Sequence, residues 1–276
     1  MDPSGQAIDF TSLGMMAEGD DAEAKIDAQG EWKESKKPSF AAPSALANNV
    51  LREEAAVEAS ERGHFVSMTG VFRRCEPISE IVCSSPIPQI AAALMQSKKV
   101  YVYDDQILLK PPHTLEKTAW HQDNGYDHVS GDQLCGVRVM TTKETTEMGP
   151  VVYLRGSHKD GVIYKVNYFI SNVGNESDTG ADLPDIDGHE QDFDIEYCFP
   201  EPGDLVVHHL RTVHGAGGNL SPDTSRKAIT IRYCGDDARF LFRPFAPPQD
   251  VYHLKDGDTL DNDPEHHPVV WPRPEV

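Results

Sequence analysis

The spacing of apolar residues changes partway along the chain, near Val100. Upstream of it, Leu46, Val50 and Val57 recur at helical intervals between Ser44, a residue suited to an N-cap, and the stop at Gly63, which predicts a helix over 45–62. A second helix is predicted over 88–96, opening at Pro88, where a missing N–H costs nothing, and carrying Ile90, Ala93 and Leu94. Downstream the runs become short and β-like: KVYVYDD, QILLK, QLCGVRVM and PVVYL, separated by Gly, Pro and Asp clusters. Phe193, Ile195, Tyr197 and Phe199 alternate with acidic or small residues, and Leu205-Val206-Val207 follows the turn residues Pro202-Gly203-Asp204. In KAITIRYC, residues Ile229, Ile231 and Tyr233 share one face, as a sheet buried on one side requires.

These elements predict a mostly β chain with flanking helices and a β core from residue 99 onward, a sandwich or jelly-roll barrel. Residues 1–43 are poor in large apolar side chains and read as a disordered or loosely attached acidic tail, leaving 44–276 as a single domain. The polar stretch 171–192 reads as a long loop, a candidate lid over a site.

Composition narrows the partners. A chain of 276 residues is long enough for one sizeable core. Its 25 Lys plus Arg against 45 Asp plus Glu give a net charge of −20, which repels nucleic acid and anionic lipid alike and predicts neither as a partner. No apolar stretch is expected to approach the roughly 20 residues that span a bilayer, and no basic-then-apolar leader opens the chain. Five cysteines, Cys75, Cys83, Cys135, Cys198 and Cys234, are odd in number and scattered, without a CxxC pair. They read as reduced thiols in a cytoplasmic protein.

The candidate chemistry lies in WHQDNGYD. His121 and Asp123 are one residue apart, so on extended backbone both project from the same face and can share one metal. His214, in PGDLVVHHLRTVHGAGGN just after a predicted strand, is the candidate third ligand. Two imidazoles and one carboxylate on one side of an iron leave other positions open, the facial set of non-haem Fe(II) oxygenases, where a co-substrate and O2 would bind. Arg226, at the start of RKAITIRY, is the candidate anchor for the distal carboxylate of 2-oxoglutarate, because a guanidinium grips a carboxylate at two points. His208 and His209 read as strand residues with satisfied hydrogen bonds, and His266 and His267 as an exposed polar turn. Trp120 and Tyr126 read as packing residues beside the site or as substrate contacts. Arg138 either pairs with a local acid such as Asp132 or Glu144 or holds an anionic substrate.

In these segments the chain resembles the phytanoyl-CoA dioxygenase family. DDQILLKPPHTLEKTAWHQDNGY is similar to that family's strand, Lys-Pro-Pro turn and HxD entry. Met148-Gly149-Pro150 through Arg155-Gly156-Ser157-His158 resembles its Gly-to-PGSH stretch, with Arg155 where Pro is usual, and PGDLVVHHLRTVHGAGGN with RKAITIRY resembles its distal-His and Arg block. The resemblance implies a double-stranded β-helix, or cupin-like jelly roll, with iron at one mouth, and makes Lys110 a second 2-oxoglutarate contact. It implies an oxidoreductase, a dioxygenase that most commonly hydroxylates a small molecule while releasing succinate and CO2. Desaturation, epoxidation and demethylation are alternative outcomes. A cupin-like metal-binding sensor or isomerase is an alternative of another class, which would have no use for the clamp at Arg226. Asp123 speaks against halogenation, where a small residue replaces the carboxylate.

Overall fold

The computed structural model describes residues 8–9, 62–167, 178–246 and 253–273. The helix predicted over 45–62 lies outside them, save for Arg62, which is not helical, as does nearly all of the predicted tail. Within that tail Ile8–Asp9 form a short strand, β1, antiparallel to β2 (Val66–Thr69).

Eleven further strands follow: β3 (Val100–Lys110), β4 (Thr118–His121), β5 (Val129–Ser130), β6 (Leu134–Met140), β7 (Val151–Leu154), β8 (Ile195–Tyr197), β9 (Leu205–His209), β10 (His214–Ala216), β11 (Arg226–Cys234), β12 (Arg239–Phe240) and β13 (Val269–Trp271). They form a larger antiparallel sheet ordered β1-β2-β3-β11-β6-β9, with β13 on β3, a second sheet ordered β4-β10-β7-β8, and the pair β12-β5. The two main sheets face one another as the walls of a jelly roll, the architecture expected from the strand pattern and the resemblance.

One strand differs from the expectation. KVYVYDD and QILLK are the two halves of the continuous strand β3, which runs through Asp104 and Asp105. Asp residues ordinarily punctuate strands, but here each is engaged: Asp104 lies 3.8 Å from the Arg73 guanidinium, and Asp105 accepts the Phe72 N–H at 3.1 Å.

A second difference concerns which faces are buried. Ile229, Ile231 and Tyr233 of β11 do share a face, packing with Val102 of β3 and Val137 of β6. That face meets Val82, Ile87, Ala91 and Ala92 from a helical layer made of α1 (Glu76–Ser79), a π-helical stretch (Glu80–Ser84) and α2 (Ile87–Met95). The opposite face is buried too, for Arg226, Ala228, Thr230 and Arg232 are all inaccessible. The alternation is apolar against helices and polar against an internal cavity, not core against solvent.

The helical stretch Glu76–Met95 is, by length and composition alone, long and apolar enough to cross a membrane, which corrects the expectation that no such stretch exists. The sequence reading placed a helix only from Pro88, over 88–96, whereas α2 starts at Ile87 and helical backbone precedes it from Glu76. Its buried side chains are spent on the sheet, while Ile90 and Leu94 face outward. His267 is also corrected: it is 1% exposed, stacked on Tyr103 with ring centroids 5.2 Å apart, because β13 folds back onto β3.

Asp105 gives the fold a pH signature. Its second carboxylate oxygen is buried without a partner, and burial pushes the group up to about 6 from an ordinary 3.8. Its contribution is therefore fully present below about pH 4 and is lost as the pH rises to about 6. Asp105→Asn, which keeps the acceptor for Phe72, is expected to stabilise the fold near pH 8 by roughly 1–3 kcal/mol and far less near pH 4. Urea unfolding at the two pH values checks this; an equal shift at both would refute it.

Candidate metal centre

Between the sheets lies a cavity lined from one wall by Gln106, Arg138, His208, Arg226 and Arg232 and from the other by His121, Tyr153 and His214, with Asp123 at its edge. β3, β7 and β11 contribute by parity, through Gln106 and Leu108, Val151 and Tyr153, and Arg226, Thr230 and Arg232, since alternate residues face alternate sides. His121 ends β4, Asp123 opens the 3-10 turn Asp123–Gly125, and His214 opens β10 directly opposite His121 in the register. One ligand atom from each of the three lies within 4.8 Å of the others, and all three residues are buried.

The intervening Gln122 points away from this cluster and holds the turn in place. Its amide donates to Val162 O at 3.0 Å and Arg211 O at 2.8 Å, and its oxygen accepts the Tyr164 N–H at 3.0 Å. Each histidine is oriented by its own backbone. His121 Nδ1 lies 2.7 Å from Ala119 O and His214 Nδ1 lies 2.9 Å from Thr212 O. A carbonyl only accepts, so Nδ1 carries the proton in both rings and the Nε2 lone pairs face the cluster, as metal ligation requires. Burial, reinforced by the neighbouring His121, holds His214 well below its ordinary value and hence neutral.

Burial alone would raise the Asp123 carboxyl, but above all the Arg232 guanidinium, with a hydrogen bond from His208, outweighs it and holds the group well below the usual carboxylate range. Arg232 Nη2 lies 3.0 Å from Oδ1, and His208 Nε2 lies 3.1 Å from Oδ2. Arg232 also lies 3.4 Å from Asp127, which burial pushes up to about 7 in spite of that contact. A neutral His214, a carboxylate kept ionised and a His121 whose Nδ1 is turned to the backbone, leaving Nε2 for the cluster, form a donor set that fits a divalent iron.

Arg226 and Arg138 share a single buried carboxylate at the other end of the cavity. Arg138 gives both terminal nitrogens to Glu144, and Arg226 Nε lies 3.3 Å from the same carboxylate. Arg226 Nη1 donates to the carbonyls of Met148 and Gly149. Gly149 adopts a left-handed φ of 57°, and a Cβ there would lie 2.2 Å from Gly218 O, so only glycine brings this carbonyl to the guanidinium. Burial lowers Arg226 to about 10, with Glu144 opposing, and it remains a cation at neutral pH. Two guanidiniums against one carboxylate leave a positive excess facing the cavity.

The remaining candidates sit elsewhere. Lys110 pairs with Arg226 across β3 and β11, but its ammonium bonds Gly217 O at 2.9 Å and lies 4.6 Å over the Phe65 ring, outside the cavity lining. Trp120 is buried in a separate cluster with Val152, Ile186 and Val213 and donates to Asp187 at 2.9 Å. Tyr126 sets its ring edge-on to His121 at 5.8 Å and donates to the Asn167 side chain at 2.8 Å. Arg138 takes the acid pairing with Glu144 and also lines the cavity.

Sequence reasoning missed Arg232, His208 and Tyr153. Arg232 was detectable, since it shares the parity of Arg226 on an alternating strand. His208 looked like any strand histidine. Its reach depends on Gly136, directly opposite, where a Cβ would lie 2.7 Å from the imidazole.

Comparisons with known proteins agree with this geometry. The family model "Phytanoyl-CoA dioxygenase (PhyH)" matches residues 17–228, beginning ahead of the predicted domain start at 44. A Stutzerimonas stutzeri protein named "Probable alpha-ketoglutarate-dependent hypophosphite dioxygenase" is 26% identical over 59% of this chain and 54% of its own length. "Phytanoyl-CoA dioxygenase 1" of Oryza sativa subsp. japonica is 25% identical over 57% of this chain and 55% of its own. The chain spans about half the length of the curated relatives it matches. Among solved structures, the non-heme alpha ketoglutarate dependent carbocyclase SnoK aligns with a TM-score of 0.57 at 25% identity, over 82% of this chain and 85% of its own. EctD from S. alaskensis, solved with 2-oxoglutarate and 5-hydroxyectoine, aligns with a TM-score of 0.53 at 19% identity, over 78% and 74% of the two chains, and supports the fold alone.

Because Arg232 is the principal counter-charge of Asp123, Arg232→Leu is expected to weaken metal binding by about 10–100-fold. Anaerobic titration calorimetry with Fe(II) reads this directly. Wild-type affinity in that variant would remove Arg232 from the account.

Proposed function

The chain belongs to the phytanoyl-CoA dioxygenase family, and from that premise we propose that it is an Fe(II)- and 2-oxoglutarate-dependent dioxygenase that hydroxylates a small organic molecule. The observation that carries this reading is one cavity holding both a two-histidine, one-carboxylate cluster and a guanidinium excess at its far end. A metal-binding sensor or isomerase would need the first and not the second, so Arg226 favours the oxygenase. The acidic charge and five free cysteines support a cytoplasmic location.

In this proposal His121, Asp123 and His214 hold the iron through Nε2, a carboxylate oxygen and Nε2. The chemistry that a bound iron would supply is the activation of O2, coupled to decarboxylation of 2-oxoglutarate to succinate and CO2. The protein's own work is binding and orientation. Arg226 attracts the distal carboxylate of the co-substrate, while Glu144 fixes the plane of its guanidinium and that of Arg138. Arg232 and His208 keep Asp123 anionic and immobile. Val151, Ala216 and Val206, packed between the sheets around Tyr153, exclude water from the interior.

The expected results are that His121→Ala or His214→Ala abolishes succinate formation, whereas Arg226→Ala raises the 2-oxoglutarate KM by about 10-fold or more with a smaller effect on kcat. Succinate release against a panel of small-molecule substrates measures all three. Undiminished turnover in either histidine variant would overturn the assignment.

A further inference from the structure

Most polar side chains lining the cavity find partners within the chain. Among the described lining residues, Arg138 Nε, His208 Nδ1, Arg232 Nε and the Tyr153 hydroxyl are buried without a hydrogen-bond partner, and of these four residues Tyr153 alone has no other side-chain polar atom to bond. Tyr153 pairs with His214 across β7 and β10, its ring stacks on His214 at 5.7 Å, and His208 lies 5.3 Å from it and 4.7 Å from His214. Stripping a hydroxyl of water without replacing the hydrogen bond is unfavourable, and phenylalanine would fill the same space without that cost.

Its surroundings indicate what it is for. Tyr153 packs with Val206, the cross-strand partner of Arg138, and lines the cavity together with Arg138 and Arg226. Through its stack on His214 it also borders the metal-binding cluster, and so lies between that cluster and the guanidinium pair. That end is short of donors for its charge. Arg138 commits both terminal nitrogens to Glu144, and Arg226 commits Nε to Glu144 and Nη1 to two carbonyls, which leaves Nη2 for an incoming ligand. A carboxylate held by one nitrogen lacks the two-point grip that fixes its orientation.

We propose that the Tyr153 hydroxyl is the second donor, beside Arg226, to the distal carboxylate of the 2-oxo acid co-substrate. This rests on the co-substrate reading above. Burial raises the phenol and keeps it protonated, so it donates one hydrogen bond without adding charge to a site already positive.

The test uses Tyr153→Phe in the full chain loaded with Mn(II), a redox-silent substitute for iron, and anaerobic titration calorimetry with two acids. One is 2-oxoglutarate; the other is pyruvate, which has the same keto-acid end and no distal carboxylate. The expected result is a 5- to 20-fold loss of 2-oxoglutarate affinity on the order of one hydrogen bond to a charged group, with pyruvate affinity unchanged. The ligand-free variant should unfold at a midpoint no lower than that of the wild type, since the hydroxyl removed has no internal partner. Unchanged 2-oxoglutarate affinity, an equal loss for both acids, or a marked loss of ligand-free stability each overturns the proposal. Should the wild-type protein itself bind the two acids equally, the Arg226 clamp fails and the proposal fails with it, an outcome distinct from a failure at Tyr153 alone.

Discussion

A carboxylate that stays ionised while cut off from water is the condition on which this site depends. Asp123 is 3% exposed, and isolated burial would protonate it. Arg232 and His208 prevent that by contacting one oxygen each. Neither could reach without the sheet geometry: Arg232 faces inward because it is an even step from Arg226 on β11, and His208 fits because its cross-strand partner is Gly136. The price is a cluster of buried Asp123 and Asp127 with half-buried Asp104 around one guanidinium, in which Arg232 stays charged against its own desolvation.

The same parity builds the opposite end. β11 delivers Arg226 and β6 delivers Arg138, and Glu144 spans the two. Removing Glu144 would leave two cations buried together; removing either arginine would leave the other paired. The arrangement therefore holds an excess positive charge at a fixed distance from the metal cluster, as a dicarboxylate bound at both ends would require.

What could be read from the sequence follows from how local the signal was. The HxD pair advertises itself through strand geometry, and His214 and Arg226 through their flanking blocks, so the grouping of the three candidate ligands and the guanidinium in the same cavity was legible in the sequence. The short alternating strands likewise announced a jelly roll. Lost were features set by tertiary partners. Asp104 and Asp105 looked like a break in β3 because their partners Arg73 and Phe72 are distant in sequence. His267 looked exposed because nothing local shows that β13 returns to Tyr103. Trp120 and Tyr126, read as packing residues beside the site or as substrate contacts, brace the segment on either side of His121 and Asp123 through Asp187 and Asn167, partners that the local sequence does not show. KAITIRYC looked half-solvated because polar residues facing a functional cavity and polar residues facing water give the same period-two pattern.

The central claim is that His121, Asp123 and His214 bind one ferrous ion whose open positions accept 2-oxoglutarate. Visible absorption of the anaerobic protein with Fe(II) and 2-oxoglutarate tests this most directly. The account predicts a weak charge-transfer band that saturates at about one iron per chain and is missing when His121 is replaced by alanine. Folded wild-type protein that binds iron yet develops no such band, or a His121→Ala variant that retains it, would contradict the account.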